Sequence, residues 1–430
     1  MFLGLTALAS ILLLAFLRVP LGIALLTVSL IGLSALYGPA LAGNMLAMTI
    51  SENAFSYDLA VLPMFLLMGN LLAATGISGD LFRAANAFLG ARKGGLALAT
   101  MVSCAGFASV CGSSFATAAT MAKVAYPSMK EFGYADRLSS ATIAAGGTLG
   151  ILIPPSTILM LYGILTETSI GDLFIAGVLP GLLGLFLNAA VVMVICHLRP
   201  QDAPRSPSVP FDQKMRSLLG VWPFCTLFAL IIGGIYFRLF TPTEAAGLGA
   251  GFAILIPLLQ RRLSFAILSK AFAETVTTSV MLYVVLFGAM LLAKLISVSG
   301  IGEAIQGLLV GSGLNSYQTL FCVLAVFLVL GCVMDSLAII LICVPLFSPI
   351  VLAFDMDLVW FGILVVVVTE IGLITPPIGM NVFVLNSCLP GVRMTTIFRG
   401  LMPFIAIDVL RLILLAAFPA ISLYLIHASF

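Results

Sequence analysis

Apolar runs of about 20 residues, each long enough to cross a bilayer as a helix, follow one another from residue 2 to residue 427 with only short polar breaks. Inside hydrocarbon a backbone has no water to bond, so this pattern dictates a polytopic membrane protein whose segments satisfy their own hydrogen bonds. Hydrophobic residues make up 62% of the 430 positions and charged ones 8%, which excludes a soluble domain. The opening segment MFLGLTALASILLLAFLRVP places Arg18 after its apolar run, and is expected to be a retained first helix and not a secretory signal. Eight cysteines without CxxC spacing are expected to be small core residues, free of disulfides and zinc. The basic residues lie in loops and form no stripe, so nucleic acid is not an expected partner.

The chain also repeats itself. Pro20 and Pro242, Pro127 and Pro349, Gly150 and Gly372, Pro154 and Pro376, and Pro155 and Pro377 are each 222 positions apart. The strings around the double prolines, GILIPP and GLITPP, are nearly the same, and GVLP at Gly177 matches GLMP at Gly400 one residue off that register. A lone Pro-Pro in an apolar run is tolerated anywhere its neighbours satisfy the freed carbonyls. Its recurrence with flanking anchors signals duplication. The polar, proline-rich stretch 198–217 then reads as a linker between a first repeat, 1–197, and a second, 218–430.

Spans are expected at 2–17, 19–37, 60–78, 137–165 and 172–197, and again at 218–237, 243–259, 276–297, 357–388 and 402–427. Segments 96–128 and 316–350 are expected to be re-entrant helical hairpins, and 137–165 and 357–388 broken helices. Five crossings per half make the two repeats inverted. This arrangement puts 15 of the 19 basic residues on the cytoplasmic side, with Glu52 and Asp58 outside, the N-terminus periplasmic and the linker cytoplasmic. Charge sidedness alone allows each hairpin to be two full spans instead. The run Ser103–Thr120, dense in Gly, Ser, Ala and Thr, favours backbone that turns inside protein.

The expected fold class is therefore an all-α polytopic membrane protein of two inverted repeats, with re-entrant hairpins and broken helices. Such repeats are the mark of secondary transporters, whose sites lie where broken ends converge. Unwound backbone offers carbonyls to a cation, and half-helix N-termini offer N–H groups to an anion. Candidate sodium ligands are Ser113, Gly146, Thr148, Gly150, Asp335, Ser336, Glu370, Gly372 and Thr375. Candidate substrate contacts are Ser113, Ser114, Ser156, Asp335, Ser336 and Asn381. Tight packing is the competing role for the two serines at 113 and 114, a structural pair or cap for Asp335 and Glu370, and an interhelical bond for Asn381. Glu244 in TPTEAAG reads equally as a helix N-terminal charge. Lys294 and Arg411 are expected to snorkel from span ends. His197 and His427 lie at a span end and near the terminus, away from any midplane proton relay.

At GGTLGILIPPSTILMLYG (Gly146–Gly163), together with VCGSSFATAATMAK, TPTEAAG, VMDS and EIGLITPPIGMN, the chain resembles the large membrane subunit of TRAP (tripartite ATP-independent periplasmic) transporters, from about residue 3 to 427. The resemblance implies sodium-driven import of carboxylates or sialic acids by an elevator, with hairpins and broken helices moving against outer scaffold helices. It places one sodium site at the Ser113 turn and Gly146–Gly150 and the other at Asp335, Ser336 and Gly372–Thr375, with substrate between the hairpin tips. It implies two partners, a periplasmic substrate-binding protein and a small four-helix membrane subunit, the latter expected to be a separate polypeptide. No cofactor is expected beyond sodium as coupling ion. A stand-alone anion symporter of similar fold is the nearest alternative. An intramembrane enzyme lacks a placed nucleophile and base, a channel would repeat around a pore by oligomerisation, and no GxxxxGK[ST] phosphate loop exists for ATP-driven transport.

Overall fold

The computed structural model describes residues 2–205, 209–311 and 313–428, and every regular element among them is helical. Before the linker lie α1 (Phe2–Phe16), α2 (Leu21–Tyr37), α3 (Pro39–Ala54), α4 (Val61–Ala74), α5 (Ile77–Leu89), α6 (Gly95–Cys111), α7 (Ser114–Glu131), α8 (Asp136–Leu149), α9 (Thr157–Thr166) and α10 (Ile170–Leu198). After it come α11 (Phe211–Tyr236), α12 (Pro242–Leu259), α13 (Phe265–Ser299), α14 (Ile301–Gly311), α15 (Ser316–Gly331), α16 (Ser336–Ala353), α17 (Leu358–Ile374), α18 (Met380–Cys388), α19 (Met394–Ala417) and α20 (Ala420–Ala428). Among the described residues, six helices are long and apolar enough to cross a membrane singly, and the pair α3–α4, bent by 70°, makes a seventh if it is one span. The all-α polytopic class read from the sequence is the observed one.

Local chemistry explains where the helices start. Ser113, Ser156, Ser169, Ser264, Asn315, Asp335 and Asp357 each cap the helix that follows, accepting a bond from a backbone N–H of its first turn. Glu244 is a cap partner too: it closes a capping box with Thr241, accepting the Thr241 N–H at 2.8 Å. Helices α8 and α17 sit at the centre, enclosed on all sides, with every residue from Leu138 to Leu149 and from Trp360 to Ile374 buried. Around them pack α6, α7, α10, α18 and α19, while α2 and α4 lean on α13, α4 also on α12, and α5 on α11.

Several expectations need correction. Helices α3, α5 and α14 had no counterpart in the reading of apolar spans, because each carries polar residues on one side. In α5, Ile77, Leu81, Phe82 and Ala84 turn inward while Arg83 stays out. Asp80 on the same helix is buried, paired with Arg83 and, at 2.5 Å, with Arg262 from the α12–α13 turn. The span expected at 402–427 is interrupted at Phe418–Pro419, because proline has no N–H to continue α19. The span expected at 276–297 starts earlier, at Phe265 behind its Ser264 cap. Cys225 and Cys322 are exposed on α11 and α15, not core residues.

Candidate functional site

Two helix pairs turn back in the interior. Helices α6 and α7 meet at Gly112 and Ser113, and α15 and α16 at Cys332–Asp335. Gly112 is needed at the first tip, since its φ of +65° is left-handed and a Cβ there would press on Thr157 Oγ1. Two chain breaks run beside these tips: 150–156 between α8 and α9, and 375–379 between α17 and α18, each holding a cis Pro-Pro bond. Each break is tied to a tip. Thr157 Oγ1 donates to the Gly112 carbonyl at 2.8 Å, and the Gly379 N–H, from the position 222 further on, donates to the Cys332 carbonyl at 3.2 Å.

The centre of the arrangement is Glu370. Its Oε2 accepts the Ser114 hydroxyl at 2.7 Å and its Oε1 the Ser336 hydroxyl at 2.8 Å. All three side chains are buried, with exposures of 2%, 3% and 5% in that order. Ser114 opens α7 and Ser336 opens α16, so one carboxylate joins both tips. These serines are themselves 222 apart, as are the two caps, Ser113 and Asp335. Both equivalences were legible from the double-proline register, and reading that register along the chain finds them.

The other candidates lie at or beside the tips and breaks, with partners of their own. Ser113 Oγ accepts the Ala116 N–H at 3.3 Å, and Ser156 Oγ the Leu159 N–H at 3.2 Å, so both act as caps here. Asp335 Oδ2 accepts the Ala338 N–H at 3.4 Å and borders a cavity of about 300 Å³ lined by Leu12, Phe16, Val333, Met334 and Met380. The Thr148 and Thr375 hydroxyls donate back to Ala145 and Ile371 carbonyls, which leaves their lone pairs unspent. Asn381 bridges helices: Nδ2 donates to the Ala144 carbonyl at 3.0 Å, and its buried Oδ1 has no partner.

The glycines are contact points. A Cβ on Gly146 would meet Cys104, one on Gly150 would meet Ala108, and one on Gly372 would lie 2.6 Å from Gly331 Cα. A larger cavity, about 580 Å³, is lined by residues within 53–59, 163–171 and 241–243 and by Met290, and touches none of the candidates.

Two cations depart from the snorkelling expectation. Lys294 is half-buried and donates to Thr49 Oγ1 at 2.8 Å. Arg411 is buried, with Nη2 at 3.4 Å from Asp408 Oδ1. Their sequence surroundings looked like span ends, but both face neighbouring helices.

The chain matches the family described as tripartite ATP-independent periplasmic transporter, DctM component, over residues 8–421. It is 37% identical over 382 residues to the C4-dicarboxylate TRAP transporter large permease protein DctM of Pseudomonas aeruginosa, covering 88% of each chain. It is 31% identical over 403 residues to the isethionate TRAP transporter permease protein DctMQ of Oleidesulfovibrio alaskensis, covering 92% of this chain and 62% of that one. Among solved structures, the YdaH transporter of Alcanivorax borkumensis superposes with a TM-score of 0.61 at 14% identity, covering 90% of each chain, a likeness of fold.

Proposed function

This chain belongs to the DctM component family of the tripartite ATP-independent periplasmic transporters, and from that premise we propose that it is the large permease subunit of a sodium-driven importer of small organic anions. The family is one of transport permeases, not enzymes, and the chain is a multi-pass inner-membrane protein. The observation that carries the finer reading is the joining of both hairpin tips through Glu370. The tips and breaks bring the N-termini of α7, α9, α16 and α18 toward the interior, and such termini suit a substrate carboxylate.

Sodium coupling is supported by the donor set. Hydroxyls of Thr148 and Thr375, the unpartnered Asn381 Oδ1 and the Asp335 carboxylate are all oxygens, the ligand type a hard cation takes. The relatives above are named for a C4-dicarboxylate and for isethionate, a sulfonate, which supports small organic anions as the substrate class, with carboxylates such as C4-dicarboxylates or sialic acid as the proposed members.

The 222-residue equivalences at the tips support inverted repeats. In that reading α6–α9 and α15–α18 form the moving body of an elevator and the outer helices its scaffold, with the N-terminus periplasmic and the linker cytoplasmic. A periplasmic binding protein delivers substrate, and a small four-helix membrane subunit completes the permease. The isethionate relative is longer than this chain, which leaves room there for such a subunit in one polypeptide.

The test is uptake of radiolabelled C4-dicarboxylate and sialic acid into proteoliposomes containing this chain and its small subunit, with the binding protein outside. Uptake is expected to require an inward sodium gradient and the binding protein. Sodium-driven uptake by this chain alone would identify a stand-alone symporter, and uptake indifferent to sodium would overturn the coupling.

Asp335 separates cap from charge in the same assay. Asp335→Asn keeps an N-cap acceptor, whereas Asp335→Ala loses it at a cost of about 1 kcal/mol. Sodium-driven uptake is expected to fall about tenfold or more in both variants, with thermal stability lowered only in the alanine form. Wild-type uptake by Asp335→Asn would leave the residue a cap and nothing more.

A further inference from the structure

A second buried polar group lies away from the hairpin tips. Asn188 on α10 and Asp408 and Arg411 on α19 are 0%, 1% and 3% exposed. Asn188 Nδ2 donates to Asp408 Oδ1 at 3.0 Å, and Arg411 Nη2 stands 3.4 Å from that same oxygen. Arg411 Nε and Nη1 have no partner, nor does Asn188 Oδ1. Gly184 makes the room, since a Cβ there would run into Arg411 Nη1. The GVLP and GLMP strings are 223 residues apart, and the same step carries Asn188 onto Arg411. Equivalent positions of the two halves therefore face each other here.

Stability is a poor reason for such a group. A buried ion pair is commonly no more stable than apolar residues of its size, and ionisable side chains at membrane depth mark function. The cluster also lies near the Glu370 clamp. Trp360 Nε1 donates to the Leu415 carbonyl at 2.9 Å, and Gly379 lies against Phe398, so α17 and α19 run antiparallel. That register sets Glu370 within about two helical turns of Asp408 and Arg411, about 10 Å or less along the axis. Unit charges at such a separation interact appreciably through a protein interior. Glu370 and Asp408 thus lie in one buried region with a single guanidinium, which pairs with Asp408.

We propose that the Asn188–Asp408–Arg411 cluster positions charge for the coupling ion, with Arg411 as the fixed counter-charge that sets how strongly the Glu370 region attracts sodium. Asp408 strengthens that attraction and Arg411 weakens it, while Asn188 holds the Asp408 carboxylate in place. This rests on the sodium-driven reading above.

The test is the sodium concentration giving half-maximal uptake in the reconstituted complex, measured alongside thermal stability for Asp408→Asn, Arg411→Gln and the double variant. Removing the carboxylate is expected to raise that concentration, and removing the guanidinium to lower it, each about tenfold, the scale of one unit charge acting through a protein interior. The double variant is expected to return near the wild-type value. Asn188→Leu keeps a similar size but removes the amide that holds the Asp408 carboxylate; it is expected to raise the value, and it carries the test if Arg411→Gln fails to fold. Shifts in one common direction, or losses of stability with no change in sodium response, would overturn the proposal while leaving sodium coupling intact. A wild-type complex indifferent to sodium would overturn both.

Discussion

Glu370→Ala is expected to cut sodium-driven uptake at least about 100-fold while the protein still reaches the membrane. The carboxylate accepts one hydroxyl from each hairpin tip, at 2.7 and 2.8 Å, and no other hydrogen bond joins Ser114 to Ser336. Truncation leaves two buried donors unsatisfied, at about 1–3 kcal/mol each, and frees the first turns of α7 and α16 to separate. Apolar packing of α17 is untouched by the change, so the helices themselves persist. Glu370→Gln keeps one acceptor oxygen and turns an N–H₂ toward the other serine, so an intermediate loss, about tenfold, is expected. Ser114→Ala, Ser336→Ala and their double variant complete the comparison. If the clamp acts as a unit, the double serine variant costs little more than either single one, because losing one tip already undoes the joint. Strict additivity, or wild-type uptake by Glu370→Ala, would show that the tips are held by other means.

Gly372→Val is expected to produce the largest loss of stability. Its Cβ would lie 2.6 Å from both Cα and C of Gly331 and 3.1 Å from the Cys332 nitrogen. These are backbone atoms, which no rotamer change can move, so α15 must draw away from α17. Overpacking typically costs about 1–3 kcal/mol when side chains can yield, and the upper end or more is expected where they cannot. A fall of several degrees in detergent thermal unfolding is the readout. Gly247→Val is the control, since nothing lies within 4 Å of a Cβ at that position, and it is expected to leave unfolding unchanged. Equal effects of the two substitutions would mean that the α15–α17 contact yields freely. Gly372 was also a candidate sodium ligand through its carbonyl. That carbonyl accepts the Thr375 N–H at 3.0 Å, and close helix contact is sufficient reason for a glycine there.

Much of the site was written in the register of the repeat. Ser113, Ser114, Asp335, Ser336 and Glu370 were all singled out as small or charged residues inside apolar runs, and the structure gathers the two serines that open α7 and α16 on one carboxylate. Spacing along the chain could not reveal this gathering, because Ser114 and Glu370 are 256 residues apart and meet only through tertiary packing. The Asn188–Asp408–Arg411 group was missed for a related reason. In FIAIDVLRLILL an Asp and an Arg three apart look like charges near a span end, and only the facing α10 shows that they point inward.

By itself the sequence determined that the chain is helical and membrane-embedded, that its backbone breaks at the two double prolines, and which oxygens lie near those breaks. Those properties follow from local chemistry: hydropathy over a span, the missing N–H of proline, the freedom of glycine, and the caps at Ser113, Ser156 and Asp335. Tertiary structure alone decided which polar groups meet. A helix has several faces and a fixed hydropathy, so the run from Leu358 to Ile374 could not say which neighbour Glu370 would touch. The direction of a buried side chain is set by the helices that exclude water from around it.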